Sequence, residues 1–392
     1  MTSPETKKPF VAIACGGTGG HLFPGLAVAG QLKQRGCDVA LLISPKDVDQ
    51  QAVKSTNGMQ IFKLPAVGLQ NRNYFSFAGS FVKSLFAARK FFRQRRPDAV
   101  LAMGGFTSAP PVFVAKDFGV KTFLHESNTI PGRANRFLSR FVDGAFIGFP
   151  EAAARLKTRK VTTTGTPVRP QFKPREAAIC RTELGFDPNR PVILVVGGSQ
   201  GASGLNEMIL SALKLLAGRD WQWLHLTGAK DFEKVNAAYA ALGIKAVVKP
   251  FLAEMDLALG AATAAVSRAG ASSLAEIAAM RLPALLVPFP AAADNHQFFN
   301  ATAFEKTGAA KLLEQKNSTP EKLAAVLDEM VENEIVRSTM QSALAQWHMP
   351  KAAEQIAESI LSVAARQSEK MARVETKACG CGHAHSTAKH AH

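Results

Sequence analysis

The 392-residue chain contains no uninterrupted apolar run as long as a membrane-spanning helix needs, although 47% of its residues are hydrophobic. Its five cysteines, at 15, 37, 180, 379 and 381, are odd in number and scattered. That excludes a disulfide framework and fits a reducing compartment. The opening "MTSPETKKPF" lacks the apolar core of a secretory signal, so a cytoplasmic protein is expected. Acidic residues are in short supply: 31 Asp and Glu against 47 Lys and Arg leave a net charge of +16. Such a surplus points to a polyanionic partner (nucleic acid, an anionic bilayer, phosphorylated small molecules) or to a merely basic surface. Nor does either glycine-rich stretch carry the spacing of the dinucleotide fingerprint or the G-K-[ST] ending of a P-loop.

What the chain does have is a βαβα alternation, met twice. Short apolar runs at 10–14, 39–43, 99–103, 120–124 and 145–147 alternate with longer helical stretches, as in a parallel sheet covered on both faces. Residues 165–176, "GTPVRPQFKPRE", hold three prolines and read as a linker. The pattern then restarts with strands at 191–196, 222–227, 246–249, 262–266 and 284–287. Two α/β domains of Rossmann type are therefore expected, 1–166 and 177–346 around a linker at 167–176. Their site should lie in the cleft beyond the carboxyl ends of both sheets. An amphipathic helix is expected at 347–366, packing back on the first domain, and a disordered Cys/His-rich tail at 367–392.

Several loops carry polar groups suited to a cleft. "CGGTGGHL" (15–22) follows the first strand and opens a helix, so its bare backbone serves either as a tight turn or as a cradle for an anion. His21 falls near that helix's N-terminus, whose dipole favours a neutral imidazole, a competent general base. "GGSQGA" (197–202), with Ser199, repeats the arrangement in the second domain. In "SRAGASSLAEIAAMRLP" (267–283), Glu276 suits either a sugar diol or a capping box with Ser273. "LHESNTIPGRANR" (124–136) packs His125, Glu126, Ser127 and Asn128 into one turn, and Arg169 stands in the linker, able to pair with a diphosphate.

Residues 74–92 hold seven aromatics, and six basic residues lie between 83 and 96. Phe77, Phe81, Leu85 and Phe92 follow helical spacing, with Lys83, Arg89, Lys90 and Arg93 beside them. Core packing accounts for one aromatic stripe. The surplus points to attachment at an anionic bilayer, and no nucleic-acid motif accompanies it. The tail "CGCGHAHSTAKHAH" (379–392) has soft metal-ligand types at no recognised zinc spacing, so no metal site is assigned.

In order and spacing, "GGTGGH", "GGF-TSAP", "LHESN-IPGRANR", "TGTPVRP", "GGSQGA", "SRAGASSLAEIAA" and "PFPAAADNHQFFNA" resemble the MurG family of peptidoglycan glycosyltransferases over about residues 10–365. The resemblance implies a GT-B fold of two facing Rossmann-like domains. It implies inverting transfer of GlcNAc from UDP-GlcNAc to the MurNAc C4 hydroxyl of lipid I, at the cytoplasmic face of the bacterial plasma membrane, with no cofactor. His21 would be the general base and Glu126 its alternate. Thr18, Gly19, Gly20, Asn128, Arg169, Ser199, Leu252, Ala271, Ser272, Ser273, Leu274, Ala275, Glu276 and Gln297 would contact the donor, with Glu276 on the ribose. The first glycine loop would also border the acceptor diphosphate. Departures from the family pattern are Phe106 where Tyr is frequent, "HESN" for "HEQN", "GTPVR" for "GNPVR", and Ser272-Ser273 for Leu-Thr. Another UDP-sugar enzyme of the same fold, such as a glycolipid synthase or a 2-epimerase, is the rival reading, and a non-catalytic nucleotide-sugar sensor is a third.

Overall fold

The structure is a computed structural model that describes residues 8–45, 58–65, 74–198 and 201–380, the last fourteen of these and Tyr74 by backbone alone. Two parallel sheets organise it. The first runs β3-β2-β1-β4-β5-β6-β7, from β1 (Phe10–Ala14), β2 (Asp38–Ile43), β3 (Gln60–Lys63), β4 (Ala99–Ala102), β5 (Lys121–Glu126), β6 (Gly144–Ile147) and β7 (Val161–Thr163). The second runs β10-β9-β8-β11-β12-β13, from β8 (Val192–Val196), β9 (Gln222–Leu226), β10 (Ala246–Lys249), β11 (Ala264–Ser267), β12 (Ala284–Leu286) and β13 (Lys311–Leu312). In each, the first strand in sequence lies inside the sheet and the order reverses around it, which opens the crevice where such sheets take ligands.

The central strands are apolar on both faces because helices cover both. β1 is buried at all five positions. Of the edge strands, β3 and β7 are mostly exposed and β10 and β13 half-buried, and no buried run foretells β3, β7 or β13.

The helices of the first domain are α1 (Gly19–Gln34), α2 (Tyr74–Gln94), α3 (Ala109–Asp117) and α4 (Arg133–Leu138). Those of the second are α5 (Ala177–Glu183), α6 (Ser203–Leu216), α7 (Phe232–Ala241), α8 (Met255–Ala261), α9 (Ala271–Met280), α10 (His296–Lys306), α11 (Pro320–Glu332) and α12 (Glu334–Trp347). The final helix, α13 (Ala352–Gly380), returns to the first domain. There Ala353, Ile356, Ala357 and Ile360 join the core beside α1, and Arg35 bridges Glu354 and Glu358 at 3.0 Å each. The return passes over Gly165 (φ +81°), where a Cβ would come within 2.5 Å of Met349. Helix, rather than the expected disordered tail, occupies 367–380. The segment "QSEKMARVETKA" is made mostly of strong helix formers and meets no Gly or Pro before Gly380. Residues 381–392, with the tail histidines, lie outside the described residues.

Candidate active site

Three loops meet at the carboxyl end of the first sheet. Gly16 is forced by crowding, since a Cβ there would sit 2.2 Å from the Ser44 amide, and Gly17 takes φ +112° against the Phe106 ring. Thr18 then caps α1 from an extended backbone, placing His21 in its first turn. The facing loop supplies the room for His21. A Cβ at Gly104 would stand 2.8 Å from its Cε1, and one at Gly105 3.2 Å from its Cδ2. The imidazole therefore lies flat against two glycines, and Thr107 Oγ1 ties this loop to the first by donating to the Gly16 carbonyl at 2.8 Å.

The third loop corrects an expectation. Glu126 is 2% exposed. Its Oε1 accepts from the Asn128 amide and Nδ2, and its Oε2 from the Gly132 amide and Asn135 Nδ2, all at 2.9–3.0 Å. Four bonds exhaust a carboxylate's lone-pair sites. Glu126 thus builds the turn 126–132 and is not placed to act as a base. His125 is structural too: its Nε2 meets the Gly165 carbonyl at 3.1 Å, and burial drives its pKa from 6.5 down to about 4, so it stays neutral.

Across the cleft, α9 starts at Gly270 as N-cap, with Ala271, Ser272 and Ser273 in the first turn and no side-chain cap. A capping box would need its carboxylate at position 273, so Glu276 is not a cap. Instead Arg169 Nη2 lies 3.4 Å from Glu276 Oε1, with side chains only 20% and 14% exposed. Burial raises the Glu276 pKa from the usual 4.5 to about 7, against the pull of Arg169. The guanidinium also lies over the rings of Phe23 from α1 (4.2 Å) and Phe172 (4.8 Å), so this linker residue touches both domains.

The other expected donor contacts divide. Thr18, Gly20, Asn128, Ser272, Ser273 and Gln297 are exposed or half-buried, with Gln297 Oε1 accepting from the Phe289 amide at 3.0 Å. Gly19 opens α1, and Ala275 is half-buried. Ala271 and Leu252 are buried in the second domain's core, which leaves only their backbones for a ligand. The Leu274 side chain is 1% exposed and its amide donates to the Gly270 carbonyl. Ser199 lies outside the described residues. Gly198 (φ +105°) and Gly201 (φ +75°) flank that loop in conformations suited to glycine, just before α6.

Sequence reasoning singled out neither Asn300 nor Arg268 as a site residue, although "PFPAAADNHQFFNA" holds the one and "SRAGASSLAEIAA" the other. Asn300 is fully buried and joins the domains. Arg268, 6% exposed, donates to the Val287 and Pro288 carbonyls and to Gln315 Oε1 at 2.9–3.1 Å.

The expected membrane stripe on α2 is out of phase. Phe92 is fully buried and Leu85 packs on the same core beneath β1 and β2. Phe77 and Phe81 are half-buried, their ring centroids 6.3 Å apart. Arg89 is ion-paired with Asp117. The open face instead carries Phe75 (94% exposed), Val82 (47%) and Phe86 (70%), spaced seven and four apart, with Lys83, Lys90 and Arg93 exposed beside them. Among the described residues, no helix is long and apolar enough to cross a membrane.

Residues 11–147 match the glycosyltransferase family 28 N-terminal domain and residues 192–356 the glycosyltransferase family 28 C-terminal domain. A protein of Anaeromyxobacter sp. (strain Fw109-5) named UDP-N-acetylglucosamine--N-acetylmuramyl-(pentapeptide) pyrophosphoryl-undecaprenol N-acetylglucosamine transferase is 38% identical over 88% of this chain and 91% of its own. Its namesake from Syntrophus aciditrophicus is 36% identical over 90% of this chain and 98% of its own. The crystal structure of Acinetobacter baumannii MurG superposes with a TM-score of 0.71 at 29% identity, covering 91% of this chain and 99% of that one. A UDP-N-acetylglucosamine 2-epimerase superposes at 0.66 with 15% identity, a likeness of fold alone.

Proposed function

The chain belongs to glycosyltransferase family 28, and from that premise we infer that it transfers N-acetylglucosamine from UDP-GlcNAc to lipid I, forming lipid II. The observation that carries the reading is one cleft with two dissimilar walls. On one side an imidazole is held against a glycine pair, and on the other an uncapped helix start stands next to a half-buried carboxylate–guanidinium pair.

In this reading UDP-GlcNAc lies against α9, with its ribose diol donating to Glu276. The diphosphate meets the amides at the starts of α9 and α6 and the Arg169 guanidinium, which together take up the charge that develops on departing UDP. No metal ion is called on for that task. The acceptor's C4 hydroxyl approaches from the first-domain side. His21 takes its proton as the oxygen bonds to the anomeric carbon, and the bond to UDP breaks with its electrons leaving on the diphosphate. One displacement inverts the anomeric centre. Gly104 and Gly105 leave the imidazole its room on this wall, and Thr18, Gly19 and Gly20 at the start of α1 border the acceptor diphosphate.

The acceptor carries a lipid tail, so the enzyme works at a bilayer surface. The reading places Phe75, Val82 and Phe86 in the interface, with Lys83, Lys90 and Arg93 on anionic headgroups. Incubation with radiolabelled UDP-GlcNAc tests the function. Label should pass to lipid I, with no transfer to diacylglycerol and no consumption of donor when acceptor is left out. Donor turnover without acceptor would establish the epimerase reading in its place.

A further inference from the structure

Among the described residues the two domains meet at several places besides Arg169. At the rim, Arg136 and Arg133 of α4 face Asp294. Behind it, Phe149 from the first domain packs on Phe304 and Trp347 with ring centroids 6.2 and 5.3 Å away. Between these lies one carboxamide, that of Asn300 on α10. Its Oδ1 accepts from the amide and the hydroxyl of Thr129, each at 3.0 Å. Its Nδ2 donates to Asn128 Oδ1 at 3.0 Å and to the Ala269 carbonyl at 3.1 Å. All four hydrogen-bonding positions of the amide are filled, and the residue is fully buried.

The partners give this arrangement its meaning. Asn128 and Thr129 belong to the turn that Glu126 braces on the first-domain wall. Ala269 immediately precedes Gly270, the N-cap of α9 on the donor wall. One side chain thus grips both walls of the cleft by directional bonds. Rings can slide on one another with little loss, whereas a buried amide displaced by an ångström leaves donors and acceptors unmet. The approach to α10 is itself held in an uncommon conformation, with Asp294 (φ +50°) and Asn295 (φ +55°) both left-handed. Asp and Asn enter that region more readily than other non-glycine residues.

We propose that Asn300 is a positioning residue for glycosyl transfer, its carboxamide setting the separation between the 126–132 turn and the N-terminus of α9. It touches neither reacting atom. It fixes how far the wall bearing His21 stands from the helix that holds the donor, and therefore how closely the acceptor oxygen can approach the anomeric carbon. A small misplacement of this kind lowers kcat steeply, while donor binding within the second domain is spared.

The proposal rests on the transferase reading, and the wild-type enzyme assayed in parallel separates the two. Absence of transfer by wild type refutes the reading itself. Asn300→Ala should lower kcat for transfer by at least about 30-fold, with Kd for UDP changed less than about 3-fold. Thr129→Val, which keeps the backbone bond and the shape, should lower kcat several-fold with Tm lowered by no more than about 4 °C and UDP affinity unchanged. With active wild type, an Asn300→Ala kcat within about 3-fold of normal would overturn the proposal. So would parallel losses of kcat, UDP affinity and Tm in both variants, which is the pattern of a residue that only holds the fold together.

Discussion

Replacing Glu276 with Gln makes the protein more stable at alkaline pH while weakening donor binding. The carboxyl is 14% exposed and has one cationic neighbour, Arg169, at 3.4 Å. Burial outweighs that neighbour and raises its pKa from 4.5 to about 7. Between these values the folded protein keeps a proton that the unfolded chain has released, so stability falls as pH rises through the window. At about 1.4 kcal/mol per pH unit, the carboxyl costs roughly 1 kcal/mol near pH 5, where the folded form keeps its proton, and roughly 3 kcal/mol near pH 8, where it is ionised. Gln stays neutral throughout and escapes this cost. Urea unfolding at the two pH values measures it, followed by tryptophan fluorescence, since Trp221, Trp223 and Trp347 all lie in the second domain. Glu276→Gln should exceed wild type by a margin that widens toward pH 8, while its affinity for UDP falls. A variant no more stable than wild type near pH 8 would refute the reasoning, because the carboxylate would then be well solvated or fully paired.

Gly104→Ala should displace His21, because the new methyl would come within 2.8 Å of the ring at φ +114°. Transfer should fall at least about 10-fold in steady-state kinetics with UDP affinity unchanged. Phe92→Ala should cost about 3–5 kcal/mol in unfolding experiments, as expected of a buried ring. Phe75→Ser with Phe86→Ser should leave Tm nearly unchanged and weaken sedimentation with anionic vesicles. Glu126→Gln puts a donor where two donors now point, and should lower stability by about 1–3 kcal/mol. The acidic limb of the pH–rate profile should stay where it is, since the residue holds a turn and moves no proton.

Much of the architecture is legible in the residues because parallel strands buried on both faces print as apolar runs. "FVAIA" and "VILVV" are such runs, and both occupy sheet interiors. β3, β7 and β13 escape notice because an edge strand need not be apolar. On α2 the residues carry two overlapping apolar phases, 85-88-91-92 facing the sheet and 75-82-86 facing outward. Periodicity finds the helix but cannot say which phase meets the core. At the site, glycine loops and charged residues are visible in sequence, whereas their jobs depend on partners distant in the chain. Glu126 reads as reactive until its four donors are seen, and Asn300 reads as ordinary until its bonds to Asn128, Thr129 and Ala269 appear.

The most direct measurement pairs two numbers on one preparation of His21→Ala: the rate of GlcNAc transfer to lipid I and the Kd for UDP. The account predicts a transfer rate lower by at least about 100-fold with Kd unchanged, since the imidazole stands on the acceptor wall and donor binding belongs to α9. Transfer at the wild-type rate would contradict it, removing His21 from the chemistry and with it the division of the cleft into acceptor and donor walls.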